Sequence, residues 1–335
     1  DDLRLELGYG LLPLVNGCTD AVKLTDQIKA LRRQLASELG FILPSVRIQD
    51  NMQLGAQTYA IYVKEIVAGR AEVRPNMLLV MDPSGKTITL PGEKTREPTY
   101  GLPAVWIDNS HREEAQLRGY TVVDAATVVT THLTELVKDY TAELLSYAET
   151  RKLLDDLDKP QQKLISDIIP SQISYGVVQR VLQALLAERI SIRDLPTILE
   201  GVGEACAHTR SVLAITEHVR TRLARQICDA NANEQGVVPM LMLSPHWEQS
   251  FAEALVGNNE DRQLALSPSK VQEFITAVRE AYEKQAQNGE SPVLVTSPAI
   301  RPYVRSILER FRPQSTVIAQ SEIAPKAKIR TVGQI

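Results

Sequence analysis

Cysteine is scarce in this 335-residue chain: Cys18, Cys206 and Cys228 lie far apart and are odd in number. Neither a disulfide framework nor a CxxC metal site can be built from them, and they read as free thiols in a reducing compartment. Long apolar runs are missing as well. None approaches the ~18–20 residues a membrane helix needs, and no basic-then-apolar leader opens the chain, so the expectation is a cytosolic segment. The start at Asp1, Asp2 and Leu3, without an initiator Met, reads as one piece of a longer protein. Long cationic stripes are absent too. Lys and Arg number 37 against 41 Asp and Glu, for a net charge of −4, and the basic run Lys326, Lys328, Arg330 is short. That balance argues against a nucleic-acid footprint.

What is present is ordinary globular composition, 44% hydrophobic and 23% charged, with length for two or three conventional domains or several small packed ones. Leu3, Leu5 and Leu7 alternate with charged residues and predict a half-buried strand. Leu24, Ile28, Leu31, Leu35 and Leu39 recur at helical spacing, with Lys29, Arg32 and Arg33 on the polar face and Gly40 placed to cap the C-terminus. Strands follow at 46–50 and from Tyr59 to Val67, with a turn at Gly69. The opening is therefore β-α-β-β, a two-layer α/β unit.

From Met77 to Val123 the texture changes. A strand at 77–81 runs into a turn at Asp82, Pro83, Ser84 and Gly85. A Pro/Gly-punctuated segment leads to a strand at 104–107, a helix around His111 to Leu117 and a strand from Tyr120 to Val123. The size suits a small α/β insertion, after which a helix from Ala125 to Tyr140 returns to the first unit. Residues 141–228 read as helical, with the apolar stripe Val178, Val181, Leu182, Leu185 and Leu186. Asp194 caps a helix that has Pro196 in its first turn and Gly201 and Gly203 weakening its end. The polar stretch 229–236 marks a boundary that invites hinge motion. Strands at 237–243, 293–295, 316–318 and 329–332 then alternate with helices starting at Ser267 and Pro268 and spanning 300–311, a second α/β region.

Motifs for catalysis fail one by one. Gly85, Lys86 and Thr87 mimic the end of a phosphate-binding loop, but the signature needs glycine where Val80 stands. It also needs a helix after the lysine, where Pro91 soon follows. His111, His132, His208, His218 and His246 lie in no HExxH or zinc spacing, and Cys206 with His208 reads as a helix-end pair. Glu113 and Glu114, like Asp155 and Asp156, point about 100° apart on a helix, as solvated faces do. No nucleophile elbow or dinucleotide fingerprint occurs. The expectation is that the chain is not an enzyme and holds no cofactor or metal. A nucleotide hydrolase using Lys86 is the catalytic alternative. The insertion's rigid loop instead sets Leu90, Pro98, Tyr100 and Leu102 where a binding surface could form, or where Tyr100 and Leu102 anchor the loop to its own domain.

Several stretches resemble the FlhA family of export-gate proteins in flagellar and virulence type III secretion. They are 28–51 (IKALRRQLASELGFILPSVRIQDN), 90–107 (LPGEKTREPTYGLPAVWI), 119–136 (GYTVVDAATVVTTHLTEL) and 185–200 (LLAERISIRDLPTILE). Weaker matches occur around His218 and Arg225 and in the closing Val332 to Ile335. They span nearly the whole chain in the family's order and resemble the flagellar branch more than the virulence one. The resemblance implies an α/β multidomain fold of four subdomains: a discontinuous α/β first (1–75 and 125–144), an inserted α/β second (76–124), a helical third (145–228) and an α/β fourth (229–335). It implies a membrane half that precedes this segment, which would then lie at the cytoplasmic face of the bacterial inner membrane. It also implies a ring, usually of nine subunits, and partners that include export chaperones carrying late substrates and the soluble ATPase complex. A virulence type III secretion export-gate homologue, or a purely structural ring module without the chaperone site, is the alternative. Family chaperone determinants, an Asp-Pro-x-Phe stretch and the Thr of Thr-His-Leu, fall on Glu97, Tyr100 and Thr131. Pro98 keeps the stretch's shape and Leu102 lies close by. Glu replaces the family's Asp, and Tyr its Phe. On that reading Tyr100 receives apolar anchors of a chaperone while a polar group meets Glu97.

Overall fold

A computed structural model describes residues 1–17 and 23–335, so Cys18 lies outside the described residues. The chain divides into two compact units, Asp1–Ser146 and Tyr147–Ile335.

In the first unit, β1 (Leu3–Leu7) buries its alternating leucines and leads through the short α1 (Pro13–Asn16) to α2 (Leu24–Leu39). The face of α2 read from its spacing is the buried one, Leu24, Ile28, Leu31 and Leu35, and Gly40 ends the helix in the left-handed region at φ 95°. Strands β2 (Val46–Asp50), β3 (Thr58–Val63) and β4 (Ile66–Glu72) complete a four-stranded sheet ordered β2-β1-β3-β4. The turn expected at Gly69 lies earlier. Lys64 and Glu65, with φ of 48° and 67°, make the reversal, because two successive left-handed residues match the twist of a tight hairpin. Gly69 instead sits inside β4, beside a register shift in its pairing with β3, so the opening carries one strand more than its periodicity indicates.

The reason for glycine there is packing. A Cβ at position 69 would meet Leu136 Cδ1 at 2.6 Å and His132 Nε2 at 2.9 Å, both on α4 (Ala125–Leu144). The His132 ring is buried and bonded to Tyr59, so it cannot yield. Gly69→Ala is therefore expected to cost about 1–3 kcal/mol, read as a lower urea midpoint.

Between β4 and α4 lies a second, wholly antiparallel sheet ordered β6-β7-β5-β8, built from β5 (Leu78–Met81), β6 (Glu93–Arg96), β7 (Pro103–Ile107) and β8 (Thr121–Asp124). Helix α3 (Arg112–Leu117) packs on β8. Its core is Leu78, Val80, Ile88, Leu90, Val105, Ile107 and Ala115. β6 has no apolar alternation and is exposed throughout, which is why it reads as loop in the sequence. Leu90 proves to be a core residue at 6% exposure, not part of an exposed surface.

The second unit begins with α5 (Tyr147–Asp155), α6 (Lys159–Ile168), α7 (Tyr175–Ala187), α8 (Leu195–Cys206), α9 (Val212–Arg222) and α10 (Ala224–Ala230). The α7 stripe Val178, Val181, Leu182, Leu185 and Leu186 is fully internal. Asp194 caps α8 by accepting from Thr197 N at 3.3 Å. The glycines do not weaken the end of α8, which runs on to Cys206. A Cβ on Gly201 would stand 3.2 Å from Val219 Cγ2, so this glycine lets α8 and α9 approach closely.

A parallel sheet follows, ordered β13-β12-β9-β14, from β9 (Val237–Met242), β12 (Val293–Thr296), β13 (Val317–Ala319) and β14 (Lys328–Gln334). Helices α11 (Pro245–Ala254), α12 (Pro268–Gln287) and α13 (Arg301–Leu308) accompany it, with a two-residue pair β10 (Leu255–Val256) and β11 (Gln263–Leu264). Trp247 and Phe251 of α11 stack edge-on or tilted against each other and against Phe274 of α12.

A buried ionic cluster ties the helical stretch to this sheet. Arg220 of α9 pairs through Nε with Glu322 at 2.8 Å and through Nη2 at 3.0 Å. Arg301 of α13 grips both Glu188 oxygens at 2.8 and 2.9 Å and both Glu217 oxygens at 2.7 and 2.9 Å. Both arginines also donate to the Val317 carbonyl. Hinge opening at 229–236 would strip these charges of their partners, a cost of several kcal/mol per ion.

A candidate docking loop in the first unit

The β6–β7 connection is a tight turn organised by one carboxylate. Glu97 Oε1 accepts from Thr99 N at 2.7 Å and Oε2 from Tyr100 N at 2.6 Å. Its backbone N–H donates to Leu102 O at 2.9 Å, and its carbonyl accepts from Gly101 N at 2.9 Å. Gly101 supplies the left-handed φ of 70° the reversal needs, and Arg96 Nη1 donates to its carbonyl at 2.8 Å.

Glu97 is thus 3% exposed while Tyr100 is 61% exposed. The glutamate is spent on shaping the loop; the tyrosine is what the loop presents. Pro98 and Leu102 are half-buried, as is Thr131 on α4. Glu97, Tyr100 and Leu102 are joined directly by the turn's hydrogen bonds. Among the described residues no hydrogen bond joins Thr131 to the turn; its neighbour, the buried His132, feels the Glu97 charge.

Beneath the loop, the Tyr59 hydroxyl and His132 Nδ1 share a buried 2.7 Å hydrogen bond. Burial, with the Glu97 charge adding, pushes the Tyr59 phenol far above its ordinary 10. Burial also lowers His132, Glu97 opposing it. Sequence reasoning passes over this pair because 73 positions separate its members and only folding brings them together. It also misses Thr99, whose buried hydroxyl has no hydrogen-bond partner among the described residues.

A depressed histidine means that the unfolded chain takes up a proton the folded one resists. Stability of the first unit is fully present above the ordinary histidine value of 6.5 and is lost as pH falls below it. Chemical denaturation from pH 8 to about pH 5 is expected to show this loss, and His132→Gln to flatten it.

The phosphate-loop lookalike is a surface turn. Asp82 O accepts from Gly85 N, and the Asp82 carboxylate accepts from Ser84 N and Oγ. No helix follows Lys86 before β6, so no helix N-terminus faces it. His218 pairs with Glu204 at 2.9 Å and His111 lies 3.7 Å from Glu114. Glu113, Glu114, Asp155 and Asp156 are exposed, and Cys206 and Cys228 are buried free thiols. Among the described residues no His, Cys, Asp and Glu group could hold a metal ion, and no helix is long and apolar enough to cross a membrane.

Comparison with known proteins fits this architecture. The chain is 59% identical over 335 residues to the flagellar biosynthesis protein FlhA of Caulobacter vibrioides, covering all of this chain and 48% of that protein. It therefore spans about half the length of that relative. The CdsV protein of Chlamydia pneumoniae, solved in complex with CdsO, superposes with a TM-score of 0.86 at 23% identity over 99% of this chain and 97% of its own. Nonameric EPEC SctV-C superposes with a TM-score of 0.80 at 19% identity over 100% and 98%. These likenesses fix the mixed α/β fold. The model of the FHIPEP family, whose members include protein export gates rather than a known enzyme class, matches residues 1–328, and the chain belongs to that family.

Proposed function

We propose that this chain is the cytoplasmic platform of a flagellar type III export gate, docking chaperone–substrate complexes and passing the substrates towards a membrane pore. One observation carries the reading. A buried carboxylate, Glu97, clamps the turn so that Tyr100 stands out from a rigid sheet edge. A rigid exposed aromatic with few rotatable bonds is the usual anchor of a protein interface. The FlhA relative supports the flagellar assignment, and the nonameric neighbour supports a ring. The complex of CdsV with CdsO supports partner binding on the same fold. The membrane attachment, the contact with a soluble ATPase complex and the division into four subdomains at 75, 124, 144 and 228 belong to the same proposal.

Titration calorimetry against flagellar chaperones loaded with late substrate tests it. Tyr100→Ala is expected to cost at least ~2 kcal/mol of binding, as central aromatic anchors do, with an unchanged melting temperature because the ring is exposed. Tyr100→Phe should bind within about twofold, since the anchor is the ring's apolar face. Undiminished binding by Tyr100→Ala would leave a structural ring module whose contacts lie elsewhere.

A further inference from the structure

Two lysines of the basic run near the C-terminus, Lys326 and Lys328, have no part in the docking loop, yet the second unit places them at a defined cleft of about 900 Å³, while Arg330 is paired with Glu290 elsewhere. Lys326 and Lys328 line the cleft together with Arg225 of α10 and Arg193, just before α8. All are exposed, and none has a side-chain hydrogen bond or ion pair among the described residues. Arg222, which also lines the cleft, is already neutralised by Glu200 and Glu204. Asp194 is turned to capping α8, which leaves Asp229 as the one uncommitted carboxylate in the described lining. A concentration of unpaired positive charge in a chain of net charge −4 focuses the field on that cleft.

Its walls are held in place. Gln226 Nε2 donates to Ser191 O at 2.9 Å, fixing α10 to the segment before α8. Cys228 Sγ lies 3.5 Å from Glu322 O and accepts from Ala324 N at 3.4 Å, fixing α10 to the strand-side wall. Leu223, Val238 and Ala324 give it apolar surface, and among the described residues no aromatic lines it.

We propose that this cleft binds a short acidic segment of a partner protein, with apolar residues between its carboxylates. The cations would meet the carboxylates, and the apolar surface the residues between them. Without an aromatic platform for bases to stack on, single-stranded nucleic acid gains only its phosphate contacts here. The volume lies at the upper end of small-ligand sites, more than a lone phosphate fills.

Fluorescence anisotropy with the whole chain tests it, using a short labelled peptide that alternates glutamate and leucine and its glutamine counterpart. The glutamate peptide should bind, more weakly as salt rises, and the glutamine one should not. Arg225→Glu with Lys326→Glu should weaken binding about tenfold or more, given ~1.4 kcal/mol per decade, without lowering the melting temperature. Lys29→Glu with Lys163→Glu, an equal change of charge elsewhere on the surface, should leave affinity within about twofold. No binding at low salt, or an equal loss in that control pair, would overturn the proposal. So would an oligothymidylate binding as tightly, which makes the cleft a nucleic-acid groove. Displacement of the peptide by inorganic phosphate at matched ionic strength would reduce it to a small-anion site.

Discussion

Arg301→Ala should destabilise the Tyr147–Ile335 unit by about 3–5 kcal/mol, the range seen when one partner of a buried ion pair is removed. Arg301 is 1% exposed and satisfies Glu188, Glu217 and the Val317 carbonyl together. Alanine leaves the largely buried Glu217 without its arginine and Glu188 with only the longer contacts to Arg220 and Arg305, and an ionised carboxylate stripped of its partner is far costlier than the lost contacts alone. Replacing Arg301 and Glu217 together with apolar residues of similar volume should recover most of the loss, since the penalty lies in the unpaired charge and Glu188 keeps Arg220 and Arg305. Urea unfolding followed by tryptophan fluorescence at Trp247 measures both. Equal stability of Arg301→Ala and the native chain would show that the cluster is more hydrated than its geometry indicates.

The two carboxylates on Arg301 shift in opposite directions. Burial works to raise both. Around Glu188, Arg301, Arg220 and Arg305 overcome it and hold the group below its usual value. Around Glu217 burial prevails, and the Glu322 charge adds to it. Glu188 therefore contributes stability that is present above its unfolded value of 4.5 and is lost as pH falls through the lower folded one.

Glu97→Ala is the second large effect. It removes two charge-assisted acceptors from the Thr99 and Tyr100 N–H groups, each such bond being worth about 1.5–3 kcal/mol. Partial rescue by water at the exposed tip should bring the net loss to about 2–3 kcal/mol. Because the turn that displays Tyr100 loosens, chaperone binding should fall along with stability. Tyr100→Ala instead loses binding alone, and that contrast separates shaping from contact. Glu97→Ala with unchanged melting and reduced binding would mean that the carboxylate touches the partner directly.

Much of the fold is legible from periodicity. The α2 stripe, the Gly40 cap, the α7 core and the strands at 3–7, 46–50, 237–242 and 293–296 follow from apolar spacing and cap chemistry. What periodicity misses has physical causes. β6 is an exposed edge strand with no apolar face. Helix α11 falls in a stretch whose cap, Ser244 accepting from Trp247 N, sits directly against the end of a strand. Gly69 looks like a turn, as glycine usually does, until the α4 side chains that exclude a Cβ are in place.

The loop was legible as a rigid, glycine-bounded segment, but the division of labour inside it was not. By itself the sequence determined that a Pro/Gly-punctuated segment precedes the strand at 104–107 and which residue types stand in it. Only the tertiary structure decided that Glu97 faces inward and Tyr100 outward. Burial of a side chain depends on what the rest of the chain lays over it, and the Glu97 charge is felt by Tyr59 and His132, 73 positions apart. The same holds for Arg301, whose partners Glu217 and Glu188 lie 84 and 113 positions away. A local pattern encodes local geometry, whereas the pairing of buried charges is settled when distant segments exclude water together.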